Sequence, residues 1–206
     1  MSATEVAVIG AGGHAKVVIA TLRDAGWRVV CAYDGDQTKW GTSISGVPIV
    51  GDDDRIGDGP PRAVIAVGNN RTRQRLAGRL GLEWVTVVHP RAWVDASVRL
   101  GAGTVVFAGA VIQPDSVVGA HVIVNTGASI DHDCQVDDFV HLAPGCHLAG
   151  EVHVAEGAFL GTGASVIVRV EVGPWSIVGA GGVVVRHVPP GVTAVGVPAR
   201  QRGPGG

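Results

Sequence analysis

Residues 128–134 read ASIDHDC and set one histidine, His132, between two aspartates in a stretch otherwise built from small and aliphatic side chains. An imidazole titrates near neutrality, at about 6.5 when unperturbed. A carboxylate on one ring nitrogen fixes the tautomer and makes the other nitrogen a better proton acceptor. That is the chemistry of a general base; the alternative is a solvated turn with no role. Asp131 and Asp133 flank the ring, and either could supply that carboxylate. A second histidine, His14, closes GAGGH (10–14). Glycines between a strand and a helix let backbone N–H groups approach a diphosphate. Gly10-x-Gly12-x-x-Ala15 lies near the dinucleotide fingerprint, and Asp34 falls near where a ribose-binding acid is expected. His14 could equally serve as a local cap of its own helix. A third set, His141, His147 and His153, recurs every six residues and raises the question of a metal.

The elements that must hold these groups come in two grammars. Residues 1–90 alternate strand and helix: strands over 5–10, 28–36, 62–68 and 83–89, helices over 14–26 and 69–81. The first helix shows its apolar spacing at Val17, Val18, Leu22 and Ala25. Such alternation predicts a parallel sheet, here about half of a doubly wound dinucleotide fold. From residue 94 every sixth position is Val, Leu or Ile, from Val94 to Val184, for sixteen hexads without a miss. Four residues after each comes a small or modest side chain, Cys134 and Cys146 among them. Period six is the signature of a parallel β-helix, with three hexads closing one triangular coil. Both series point inward, so the two cysteines are expected to be buried and inert. His132 is on neither series and projects outward, above Pro114 and beneath Gly150, whose missing side chain leaves room for a thioester. His141, His147 and His153 fall on successive faces and cannot converge within one chain, so no metal is expected.

Composition narrows the function classes. A net charge of −2 and no basic stripe with interleaved aromatics argue against a nucleic-acid partner. No apolar run reaches membrane-spanning length, and the first residues lack a charged, cleavable leader, so a cytoplasmic location is expected. Three scattered cysteines make no disulfide framework. Thirty-two glycines without a collagen period call for many tight turns. The tail QRGPGG (201–206) is expected to be loose.

GAGGHAKVV, AVGNN, NTGASIDHDC, HLAPGCHLAG and GAGGVVVRHVPPGVTAVGVPAR together span nearly the whole chain. In these stretches the sequence resembles the hexapeptide-repeat acyltransferases, and more narrowly the bacterial sugar acetyltransferases of the sialic acid, bacillosamine and perosamine type. The resemblance implies a half-Rossmann-like α/β domain (1–90) joined to a left-handed β-helix (91–206) that assembles as a homotrimer with sites between subunits. It implies acetyl-CoA as co-substrate and a nucleotide-linked 4-amino-4,6-dideoxy sugar as acceptor. His132 would be the base, supported by an adjacent acid, with Asp133 the first choice and Asp131 the second. Gly12, Gly13 and His14 would meet the diphosphate or sugar, Asp34 and Asp36 the nucleoside, and Gly68 and Asn69 would line the cleft. Asn125 and His141, on faces neighbouring that of His132, would contact the sugar and the acetyl group across a subunit boundary. Coenzyme A would lie in an outer groove against Gly150, Gly161, Thr162 and Ala180, with Arg186 and Arg200 for its phosphates and a backbone N–H near Gly150 for the oxyanion. Three rivals stay open: O-acetylation of a sugar hydroxyl, a zinc-dependent hydratase on the same helix, and a non-catalytic nucleotide-sensing scaffold.

Overall fold

The computed structural model describes residues 4–52, 56 and 60–202. The end of the tail, 203–206, lies outside the described residues. The N-terminal part is one six-stranded sheet flanked by two helices. Its elements are β1 (Glu5–Ile9), α1 (Gly13–Asp24), β2 (Arg28–Tyr33), β3 (Ser43–Ile44), β4 (Val47–Gly51), β5 (Arg62–Ile65), α2 (Asn70–Arg79) and β6 (Glu83–Trp84). The strand order is β3-β4-β2-β1-β5-β6, all parallel except the β3–β4 hairpin. Sequence reading missed that hairpin. Its turn, Ser45-Gly46, has positive φ at both residues, the geometry that matches strand twist.

Along β1 the side chains alternate between two cores. Val6 and Val8 face α1, whereas Ala7 and Ile9 face the side of α2. A sheet covered on both faces explains why β1 from Val6 and β5 from Ala63 are apolar throughout. α1 buries Ala15, Val18, Ile19 and Leu22; the expected face is rotated, and Val17 points to solvent. The helix stops where Gly26 adopts φ +84° and Trp27 N–H reaches back to Leu22 O, so glycine supplies the left-handed residue that ends it.

The predicted strand over 83–89 divides in two. Glu83–Trp84 closes the α/β sheet, but β7 (Val87–Val88) already pairs in parallel with Val105–Val106. Val88 therefore extends the hexad series one step toward the N-terminus. From here the chain winds through two-residue strands, β8 (Trp93–Val94) to β23 (Val183–Val184), then β24 (Thr193–Val195) and the antiparallel β25 (Arg200–Gln201). This is the left-handed parallel β-helix expected from the sequence. The strands from β7 to β20 pair with the strand eighteen residues on, so Ile112 stacks on Ile130 and Leu142 on Leu160, whereas β22 meets β24 sixteen residues on. Face one starts at β7, face two at β8 and face three at Arg99–Leu100.

The hexad positions from Val106 to Val184 are all buried; Val94 and Leu100, on the open first coil, are partly so. Each buried aliphatic contributes roughly 1.5–3 kcal/mol. Small polar residues of the second inward series satisfy themselves on the corner carbonyl of the next coil. Thr104 Oγ1 donates to Gly119 O, Ser116 Oγ to Asp131 O and Cys134 Sγ to Ala149 O. Every corner also needs one left-handed residue, and these recur at 103, 109, 115 and so on to 181. At the corner between faces one and two all of them are glycine: 109, 127, 145, 163 and 181. That supplies much of the glycine excess. Elsewhere Asp115, His121, Asp133, Phe139, Glu151, Arg169 and Trp175 adopt the same conformation, which a side chain disfavours.

Candidate active site

His132 sits at the corner between faces two and three, immediately before the left-handed Asp133. Its side chain is 54% exposed, so the ring stands on the outer wall. The turn at Asp133 brings its carboxylate back to the ring: Nδ1–H donates to Asp133 Oδ2 at 2.8 Å. Asp131 turns instead to the backbone, where Oδ1 accepts from His132 N–H. Nε2 is thereby left to take a proton. The hydrogen bond to Asp133, with smaller contributions from Asp131 and Glu151, holds the imidazole pKa above its ordinary value. Glu151, one coil above Asp133, is gripped by the Arg169 fork at 2.7–3.0 Å. Gly150 lies directly over the ring; a Cβ there would stand 2.6 Å from Cε1 and Nε2.

Cys134 and Cys146 are sealed in the prism core. Burial pushes their thiols up to about 11 and about 12, so neither supplies a thiolate near neutrality. His141, His147 and His153 lie on faces one, two and three. His147 bonds Ser129, and His153 bonds Asp137.

The α/β part carries a cavity of about 550 Å³ at the C-terminal ends of its strands, where ligands of such sheets bind. Gly10, Asp34, Arg75 and Arg79 are among its walls. Asp34 accepts from Ala11 N–H at 2.7 Å and pairs with Lys39, which ties the glycine loop to β2. Asp36 does not line the cavity; it caps the short turn Gln37–Lys39 through Thr38. Gly12 and Gly13 have open space where side chains would be. Tyr33, Thr72, Arg75 and Arg79 were missed as cavity residues. The spacing of Thr72, Arg75 and Arg79 on one helix face was the available signal.

His14 does not cap its helix, because no side chain caps α1. Its ring lies edge-on to Phe107 and near His141, and its buried Nε2 has no hydrogen-bond partner among the described residues. Desolvation, aided by the Arg73 charge, lowers its pKa to about 4. His141 is buried as well, and the same causes in the same order lower it to about 3. It lies on face one with Asn125, one coil apart, and both of its nitrogens are engaged. Asn125 Nδ2 donates to Nε2 at 3.2 Å, and Nδ1–H donates to Gly68 O at 3.2 Å. His141 thus links the loop after β5 to the prism. Gly68 and Asn69 line a second cavity, of about 350 Å³, beside Phe159, Trp175 and Ile177.

The residues expected at coenzyme A fall on two corners. Gly150 and Arg186 share the corner of His132, with Arg186 three coils further along, about 14 Å at the usual strand spacing. Gly161, Thr162 and Ala180 occupy the all-glycine corner between faces one and two. A side chain at Gly161 would meet Ala180 N at 2.6 Å, so close stacking alone requires that glycine. Arg186 and Arg200 come together around one small cavity at the end of the prism. The α/β part packs on face one, through Val87, Val105, Phe107 and Ile123. His132 is on the corner opposite that face, so one chain does not bring this histidine to its own α/β cavity.

A hexad prism bearing an exposed histidine–carboxylate pair, joined to a Rossmann-like α/β domain, is the architecture of the hexapeptide-repeat acyltransferase class. Residues 5–80 match the PglD N-terminal domain family. A variant of GDP-perosamine N-acetyltransferase from Caulobacter crescentus, in complex with CoA and GDP-perosamine, is 48% identical, covers 97% of each chain and superposes with a TM-score of 0.93. The acetyltransferase domain of PglB from Neisseria gonorrhoeae FA1090, in complex with acetyl coenzyme A, is 39% identical with a TM-score of 0.90, over 98% of this chain and 100% of that one. UDP-N-acetylbacillosamine N-acetyltransferase of Bacillus subtilis (strain 168) is 44% identical over 126 residues, and the match spans about half the length of each protein. The chain belongs to the nucleotide-sugar N-acetyltransferase family that these proteins represent.

Proposed function

We propose that this protein transfers the acetyl group of acetyl-CoA to the amine of a nucleotide-linked 4-amino-4,6-dideoxy sugar. The observation that carries the mechanism is the exposed His132 ring, held by Asp133 and overlain by Gly150. His132 Nε2 takes a proton from the incoming amine, whose lone pair attacks the thioester carbonyl directly. The C–N bond forms, the C–S bond breaks and the coenzyme leaves as its thiol. No acyl-enzyme forms, because both nearby thiols are buried and protonated. Asp133 fixes the tautomer and stabilises the imidazolium. The α/β cavity holds the nucleotide, and Gly12 and Gly13, open on the loop that follows its wall residue Gly10, meet the diphosphate.

The site is shared between copies in a homotrimer. Support comes from the placement of His132 opposite the face that carries the α/β domain, and of the coenzyme residues on two separate corners. A neighbouring prism would bring one corner of each kind together. The test is release of free thiol from acetyl-CoA with a panel of UDP-, GDP- and dTDP-linked amino sugars, with product mass as the second readout. Turnover of an amino sugar supports the reading. Thiol release only with a sugar hydroxyl acceptor, or with none, overturns it.

A further inference from the structure

Helix α2 has two working faces. Thr72, Arg75, Leu76 and Arg79 wall the nucleotide cavity. Asn70, Arg73 and Gln74 turn the other way, onto the corner of the prism between faces three and one. Arg73 is 1% exposed, yet no carboxylate pairs with it among the described residues. Burying a guanidinium without a counter-charge is costly unless its N–H groups are satisfied. Here oxygens surround it. Nε donates to His121 O at 2.8 Å, Nη2 to Phe139 O at 2.7 Å and Asn70 Oδ1 at 2.9 Å, and Nη1 to Val67 O at 3.0 Å. Asn70 Nδ2 in turn donates to Gly157 O at 3.0 Å.

His121, Phe139 and Gly157 occupy the same corner position in three successive coils, and each adopts the left-handed conformation. α2 therefore grips three rungs of one corner, and the same guanidinium also holds the loop after β5 through Val67 O and Gly68 O. Only a planar fork with five N–H donors reaches oxygens on both sides at once. We propose that Arg73 is the positioning residue that sets the wall of the nucleotide cavity in register with the prism, so that a bound nucleotide directs its sugar to the acetyl-transfer site. This rests on the cavity being the nucleotide-sugar site.

Arg73→Lys keeps the charge and removes the fork. Its kcat/KM for the nucleotide-linked amino sugar is expected to fall roughly tenfold or more, with KM for acetyl-CoA unchanged and unfolding still cooperative. Amide hydrogen exchange across 70–79 should accelerate in the same variant. An unchanged kcat/KM for the sugar together with unchanged exchange overturns the proposal, as does an equal loss of affinity for acetyl-CoA. Should Arg73→Lys fail to fold, Asn70→Ala removes the grip on Gly157 O and one acceptor of Arg73, and carries the same expectations. A wild-type protein that turns over no nucleotide amino sugar would sink the functional reading separately. Hydrogen exchange would then still decide, since faster exchange in 70–79 supports the latch and equal exchange refutes it.

Discussion

The bond from His132 Nδ1–H to Asp133 leaves Nε2 as the ring atom free to accept a proton, and the chemistry proposed for this protein depends on that atom. His132→Ala should lower kcat by roughly 10²–10⁴-fold in a protein that still binds nucleotide-sugar by calorimetry. Because Asp133 raises the imidazole pKa, activity should fall as pH drops through that raised value and protonates the base. Asp133→Asn removes the charge, so the acid limb of the kcat/KM profile should move to lower pH. An unmoved limb would separate Asp133 from the ring. Gly150→Ala tests the position of the ring. A Cβ 2.6 Å from Nε2 must displace it, and a displacement near 1 Å costs about 10²-fold. Steady-state kinetics should show that loss in kcat with the melting temperature little changed. Cys134→Ala with Cys146→Ala should retain turnover, and loss of activity in a folded double variant would reopen covalent catalysis.

At the level of elements, the seam between the α/β domain and face one holds three histidines, His14, His121 and His141, whose folded pKa values are lowered to about 4, 4 and 3. Desolvation is the largest cause for each, with the Arg73 charge second. Groups with depressed folded pKa values stabilise the fold above their unfolded pKa, near 6.5, and that stability is lost as pH falls toward the folded values. Thermal melts should therefore show the melting temperature dropping from pH 7 toward pH 4. His141→Gln, which cannot take up a proton there, should flatten part of the drop. The buried stripe of α2, Asn70, Arg73 and Leu76, has helical spacing yet carries mostly polar residues. Periodicity reads such a stripe as solvated. The prism carbonyls that satisfy it come from residues 48 to 88 positions away, where no local pattern points.

For the whole molecule, the arrangement of faces separates His132, the proposed base, from the α/β cavity proposed for the nucleotide within one copy. Co-expressed His132→Ala and Arg75→Glu chains, each inactive alone, should recover part of the activity in mixed assemblies. Each such assembly can pair an intact cavity on one copy with an intact base on another. Thiol release by the purified mixture measures this, and no recovery despite mixed assembly would place the whole site on a single chain.

The sequence by itself determined the prism. A strict six-residue beat leaves one way to bury every aliphatic, and the outward course of His132 follows from its place in that beat. Its residue types also marked the glycine loop and the histidine–aspartate pair. Tertiary structure decided which aspartate meets the ring, since that depends on the left-handed turn at Asp133. It decided that His141 braces the domain seam, and that Arg73 is buried at all. The physical reason is one of range. Periodicity records which side of its own element a residue faces, whereas a hydrogen bond between domains depends on where a distant carbonyl comes to rest.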